Sequence, residues 1–287
     1  MPSDILPQLE ELLLTKDSLK LSPVSGGDIN DSYRVQNADK SYFLKVNSAD
    51  KFRMLELERD GLMELENTGV FKTPRILGCG KAQKHSFLLM EWLHEQKPSE
   101  WQWQLFGEHL SKLHSHTRDS FGFKSDNYIG SIHQKNDSKK AWSSFYIDCR
   151  IAPLIKKAYD SGFLEQQHLR AFERLSLEAQ SLFPFAQPSL LHGDLWAGNF
   201  MCIGEKAMAV FDPAVYYGHP EMEMAFTLLF GGFPAIFYDA YQSQTPLEKG
   251  FHNRVDLYNL YPNLVHLLLF GRAYFGAVSS VLLKFYR

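Results

Sequence analysis

Cysteine is scarce in this 287-residue chain: there are 3, at Cys79, Cys149 and Cys202, far apart and with no Cys-x-x-Cys pair. That excludes a disulfide framework and points to a reducing compartment. An excess of one charge sign is also missing, since 30 Lys and Arg stand against 33 Asp and Glu for a net charge of −3. A nucleic-acid binder relying on a positive field is therefore not expected. Long apolar runs are absent: the longest, Leu264 to Phe270, contains His266 and cannot span a bilayer. The N-terminal segment Met1-Pro2-Ser3-Asp4-Ile5-Leu6-Pro7 lacks the basic start and apolar stretch of a secretory signal, so a cytoplasmic protein without a membrane partner is expected. No Gly-x-x-x-x-Gly-Lys-Ser/Thr occurs, which removes support for a P-loop nucleotide site.

What is present is enough hydrophobic sequence, 45%, for a sizeable core, at a length that fits two domains or two lobes. Leucines at 6, 9, 12 and 13 predict a short helix over 5–14, and Tyr42 to Val46 alternates as a strand. Residues 50–67 read as a helix ended by Asn67-Thr68-Gly69, with further strands near 75–79 and 86–91. Beyond residue 100, helical periodicity dominates 101–116, 141–159, 163–182, 221–230 and 253–284, and the polar stretch 124–140 is the expected long loop. A strand-rich third before a helix-rich remainder predicts an α+β, two-lobed molecule joined near Glu91–Leu93. The aromatic-rich stretch 226–238 reads as core.

The segment His192-Gly-Asp-Leu-Trp-Ala-Gly-Asn199 carries most of the chemistry, with a second acid at Asp212 in Val-Phe-Asp-Pro-Ala. Asp194 and Asn199 have the spacing of the base and the metal-binding Asn in a kinase catalytic loop. Asp194 would accept a hydroxyl proton, while Asn199 and Asp212 would hold Mg²⁺ against ATP phosphates; hard oxygen donors suit that ion. Lys45 sits among apolar neighbours on a strand and needs an anion if it points inward; an edge-strand lysine facing water is the alternative. Glu58 interrupts the stripe Leu55, Leu62, Leu65 and is the natural partner, with Glu56 on a more mixed face as its rival. Gly26-Gly27 could bring backbone N–H groups to phosphates or simply turn a hairpin. Met90, Glu91 and Trp92 lie where a kinase connector would hydrogen-bond adenine through its backbone. His192 reads as a structural support of the loop and Glu223 as an acceptor for loop amides. His109, His114 and His116 lack chelating spacing and read as core or surface residues.

With these residues in view, the chain resembles the fructosamine kinases (ketosamine-3-kinases), within the aminoglycoside and choline kinase-like, protein-kinase-like superfamily. The resemblance rests on Leu190 to Asn199 including Trp196, on Phe211-Asp-Pro-Ala followed by Tyr216-Tyr-Gly-His-Pro-Glu221, and on Phe230-Gly-Gly-Phe233, Asp126-Asn-Tyr-Ile-Gly130, Phe270-Gly271, Ser25-Gly-Gly27 and Glu58 to Leu62. It covers nearly the whole chain. It departs at Pro220, where an Arg is common, and at Glu223, where Asp is usual; Asp28 rather than Cys follows the glycines. The resemblance implies a protein-kinase-like fold, with an ATP-binding lobe over 1–92 and a catalytic, substrate-binding lobe over 93–287. It implies an ATP- and Mg²⁺-dependent kinase for the 3-hydroxyl of small or protein-linked ketosamines, with Trp196 either a platform for the sugar or its amine or a residue that only packs the loop; a monomer is the expectation, though the sequence does not determine the oligomeric state. Kinases for other alcohols, and a non-catalytic ATP-binding module, are the competing expectations.

Overall fold

The structure is a computed structural model that describes residues 2–15, 18–24, 29–38, 40–204 and 207–286. The chain packs as two compact units, residues 1–98 with 201–212, and residues 99–200 with 213–287. Residues 93–98 and the later segment 201–212 thus pack with the first unit. Backbone hydrogen bonds account for this: Lys72 N–H donates to Met208 O at 3.2 Å, Val210 N–H to Lys72 O at 3.0 Å, and Gln96 N–H to Cys202 O at 2.9 Å.

The first unit contains α1 (Leu6–Leu12), β1 (Lys20–Pro23), β2 (Asp31–Asn37), β3 (Lys40–Ser48), α2 (Phe52–Glu66), β4 (Ile76–Lys81) and β5 (His85–Glu91). The strands form one antiparallel sheet in the order β1-β2-β3-β5-β4. Alternation assigns its two faces. Leu44, Val46, Phe87 and Leu89 pack with Ile5 and Leu9 on the α1 side. Leu88 and Met90 pack with Leu55 and Leu62 of α2 on the other. Lys45, between Leu44 and Val46 and directly opposite Leu88, is therefore carried to the α2 face.

The second unit is built on α3 (Glu100–His114), α4 (Trp142–Phe145), α5 (Ala152–Asp160), α6 (Gln166–Leu182), α7 (Pro220–Thr227), α8 (Ala235–Gln244), α9 (Phe251–Phe270) and α10 (Phe275–Leu283). Ser99 opens α3 with a capping box to Gln102, as its Ser-x-x-Gln pattern favours. A two-stranded ladder of Ser189–Leu191 with Tyr216–Gly218 leads into and out of the stretch 192–215. None of the described helices is long and apolar enough to cross a membrane.

Three elements differ from the sequence expectation for local reasons. The helix expected over 141–159 changes to π geometry at Tyr146–Ile151. Pro153 has no N–H to return to Cys149 O, and Arg150 Nη1 donates there instead, at 3.2 Å. The helix expected over 253–284 breaks at Gly271, whose φ of +87° few other residues adopt. The expected loop 124–140 holds a hairpin of β6 (Asn127–Ile129) and β7 (Ile132–Gln134) with buried amide side chains. The α8 helix, starting just after Pro234, takes in the end of the aromatic stretch and buries Phe237.

Helices α3 and α8 approach closely at Gly107, where a Cβ would lie 2.2 Å from Phe237 O. Gly107→Ala should force them apart and cost about 1–3 kcal/mol, as overpacking does. A lowered urea midpoint with an unchanged m value would show it.

Candidate active site

In the first unit the residues picked from sequence meet around one cation. Lys45 is 5% exposed. Its Nζ donates to Glu58 Oε1 at 2.6 Å and also to Asp212 Oδ1. Glu58 is thus the partner taken from the α2 stripe, while Glu56 pairs with Arg53 at 3.3 Å on the outside of the helix. Burial works against the Lys45 charge, but the Asp212 and Glu58 carboxylates outweigh it and raise its pKa above the ordinary lysine value. The ammonium is therefore held protonated. The contact with Asp212 had no signal in the sequence.

Asp212 itself adopts φ +55°, a left-handed conformation rare outside glycine, with Pro213 disfavouring the right-handed helical region before it. Of the connector residues, Met90 is buried and Glu91 is exposed. The Glu91 N–H donates to Arg75 O at 2.8 Å. Trp92 packs against Phe43 at 6.2 Å between centroids, under the Arg34 guanidinium at 4.9 Å. Gly26 and Gly27 lie outside the described residues.

In the second unit the loop 192–199 is held from behind. Glu223, 2% exposed on α7, accepts the Gly193 N–H at 2.7 Å and the His192 N–H at 3.0 Å. His114 Nε2 donates to the same carboxylate at 3.0 Å, while its Nδ1 lies 2.7 Å from the Tyr241 hydroxyl. An ionised Glu223 accepts only, which places a proton on Nε2. Burial pushes the Glu223 carboxyl up, but the His114 hydrogen bond, the nearby histidines and the Gly193 amide hold it below the ordinary value. His114 and Tyr241 are the supports that sequence reading missed. Phe106, Leu110 and His114, four residues apart on one face of α3, were the available signal.

The loop leaves no room at Gly193, whose φ is +85° and whose added Cβ would lie 2.1 Å from Ala214 O. Asp194 N–H donates to His192 Nδ1 at 3.3 Å. Asn199 Nδ2 donates to both Asp194 O at 2.8 Å and Asp194 Oδ2 at 2.9 Å. The six-residue pattern thus closes on itself and fixes the carboxylate. Trp196, 37% exposed, packs across Gly198 and meets Phe230 edge-on at 5.9 Å. His109 and His116 join no cluster of three metal-binding side chains among the described residues.

Asn199 and Asp212 each carry a side-chain oxygen of the hard kind that Mg²⁺ takes. The donor chemistry fits. Asn199 has committed its nitrogen to Asp194, which leaves Oδ1 as its side-chain acceptor. The Asp212 side chain remains 42% exposed even with one oxygen engaged by Lys45.

Comparison with known proteins adds four findings. Residues 1–287 match the family described as fructosamine kinase. A protein of Enterococcus faecium named as a probable ketoamine kinase is 36% identical over 288 residues, covering 98% of this chain and 100% of that one. A crystal structure from Haemophilus somnus 129PT, provisionally assigned as a fructosamine-3-kinase, aligns with a TM-score of 0.91 at 27% identity over 100% of this chain and 98% of its own. A thermostable aminoglycoside phosphotransferase mutant, solved as a ternary complex with AMP-PNP and hygromycin B, aligns at a TM-score of 0.62 over 96% of this chain and 97% of its own. At 17% identity that last likeness is one of fold.

His219, which caps α7 by accepting the Glu221 N–H at 3.1 Å, gives a pH prediction. Burial lowers its pKa from 6.5 to about 3. Only the unfolded chain then takes up this proton between those values, so stability should fall as pH drops below about 6.5. His219→Asn keeps a capping oxygen and should flatten that slope in urea midpoints taken at about pH 7 and about pH 5.

Proposed function

Since the chain belongs to the fructosamine kinase family, we propose that it transfers the γ-phosphoryl group of ATP to the 3-hydroxyl of a ketosamine, a sugar joined through C1 to an amine. The fold is that of kinase-like phosphotransferases, and the enzyme is an ATP-dependent one. The observation that carries the reading is the Asp194 carboxylate, clamped by Asn199 on a loop anchored to Glu223.

In this reading Asp194 accepts the hydrogen bond of the 3-hydroxyl, orients its oxygen in line with the γ-phosphorus and takes the proton as the O–P bond forms. The bond from the γ-phosphorus to the bridging oxygen breaks, and ADP leaves. Lys45, held by Glu58, binds the α- and β-phosphates as a fixed positive charge. Its present hydrogen bond to Asp212 is one that bound phosphates would share or displace. Asn199 Oδ1 and Asp212 would hold Mg²⁺, which when bound neutralises charge on the transferring group. Met90, Glu91 and Trp92 would frame the adenine, with Gly26 and Gly27 near the phosphates. Trp196 would present its exposed face to the sugar or its amine. A 3-phosphorylated ketosamine tends to eliminate phosphate and release its amine, so the reaction would reverse early glycation.

A panel of ketosamines, aminoglycosides and choline, read by ADP release, tests the acceptor. Ketosamine-dependent turnover is expected, and turnover only with another alcohol would reassign it. Asp194→Ala should lose about 10²–10⁴-fold in kcat while retaining ATP binding. Near-normal kcat in that variant would remove Asp194 as the base, and Mg²⁺-dependent turnover surviving in Asp212→Ala would remove Asp212 from the metal site.

A further inference from the structure

Arg150 heads the largest fully buried side chains, yet no carboxylate pairs with it among the described residues. Its guanidinium carbon lies 4.0 Å from the Tyr216 ring centroid, 4.5 Å from Phe145 and 5.5 Å from Tyr261. Nη1 donates to the carbonyls of Lys135 and Cys149, and Nη2 donates to Asn136 Oδ1 at 2.9 Å. A buried cation without a counter-ion is an expensive way to fill a core, and an apolar side chain would serve stability better.

The hydrogen bonds it starts lead to the catalytic segment. Asn136 Nδ2 donates to Asn127 Oδ1 at 2.9 Å and to Ser125 O at 3.1 Å. Asn127 Nδ2 donates to Val215 O at 2.8 Å. Gln134 Nε2 donates to Asn127 Oδ1 at 2.7 Å and to Ala214 O at 3.1 Å, and Gln134 Oε1 accepts from the Tyr261 hydroxyl at 2.7 Å. Each of the three amides is committed at both ends, so none can rotate without orphaning a buried partner. The gripped residue Ala214 donates its own N–H to His192 O at 2.9 Å and packs against Gly193. One ladder therefore joins Arg150 to the loop that carries Asp194.

We propose that Arg150 is a positioning residue for phosphotransfer: it locks the Asn136–Asn127–Gln134 amide ladder, which holds Ala214 and Val215 and thereby fixes the register of the catalytic loop. The phosphotransfer part rests on the function proposed above; the mechanical part does not. Arg donates at three points and stacks on three rings, a role a point-charge lysine fills only in part.

The test combines kinetics with amide exchange. Arg150→Met should lower kcat by about ten- to a hundredfold through misplacement of the loop, with KM for ATP unchanged. Arg150→Lys should recover part of that loss. The Ala214 amide, which donates to His192 O, should exchange faster in Arg150→Met while amides of α3 and α9 keep wild-type rates. Wild-type kcat in Arg150→Met, an unchanged Ala214 exchange rate, or a loss matched by uniformly faster exchange across the unit would each overturn the proposal. If Arg150→Met does not fold, Gln134→Met keeps Arg150 and removes the grip on Ala214 O together with the Asn127 and Tyr261 contacts, and is judged by the same readings. If the wild-type protein phosphorylates no ketosamine, the function reading fails, while the exchange data still decide whether the ladder holds the loop.

Discussion

One ammonium group organises the first unit. Lys45 Nζ is shared by carboxylates 13 and 167 residues away along the chain. Neither acid is an optional neighbour, because a cation buried under α2 has to be paired or give up its proton. The pairing ties β3 to α2 and to the end of the segment 201–212, and it leaves a fixed positive charge beside an exposed carboxylate. A protein that needed only stability at this place would bury a leucine. On the proposed function, that charge meets the anionic oxygens of the nucleotide.

The second unit solves a different problem, how to hold an irregular loop still. Gly193 turns where other residues would collide with Ala214, and the amides freed by that turn are taken up by Glu223. Burial works against the Glu223 charge, but the hydrogen bonds from His114 and the Gly193 amide hold it, with Tyr241 bonded to His114 from behind. Asn199 then closes the loop onto Asp194 from the front. The carboxylate that would take the proton is thus set by hydrogen bonds from several directions, which is what preorganisation requires.

Much of this was legible in the sequence, and the limits were physical. The strand of Lys45 and the stripe of Glu58 could be read because side-chain periodicity is local, and the His192–Asn199 octet because its spacing is short. The Lys45–Asp212 contact could not, since nothing local encodes a partner 167 residues away. His114 looked like an ordinary core histidine because its meaning depends on Glu223. Asn127, Gln134 and Asn136 looked like loop because polarity usually marks solvent, and here it marks a buried ladder whose partners are backbone carbonyls of another segment. The break at Gly271 and the π turn before Pro153 are cases where one residue's backbone overrode an otherwise helical pattern.

The charge of Lys45 is proposed to serve a nucleotide. The most direct test of that is titration of ATP with Mg²⁺ into Lys45→Met beside the wild-type protein, with folding of the variant verified by circular dichroism. Loss of a charge-assisted contact of about 1.5–3 kcal/mol should weaken ATP binding by at least about tenfold in the folded variant. Unchanged affinity would contradict the account, because the buried ammonium would then be a structural ion pair and nothing more.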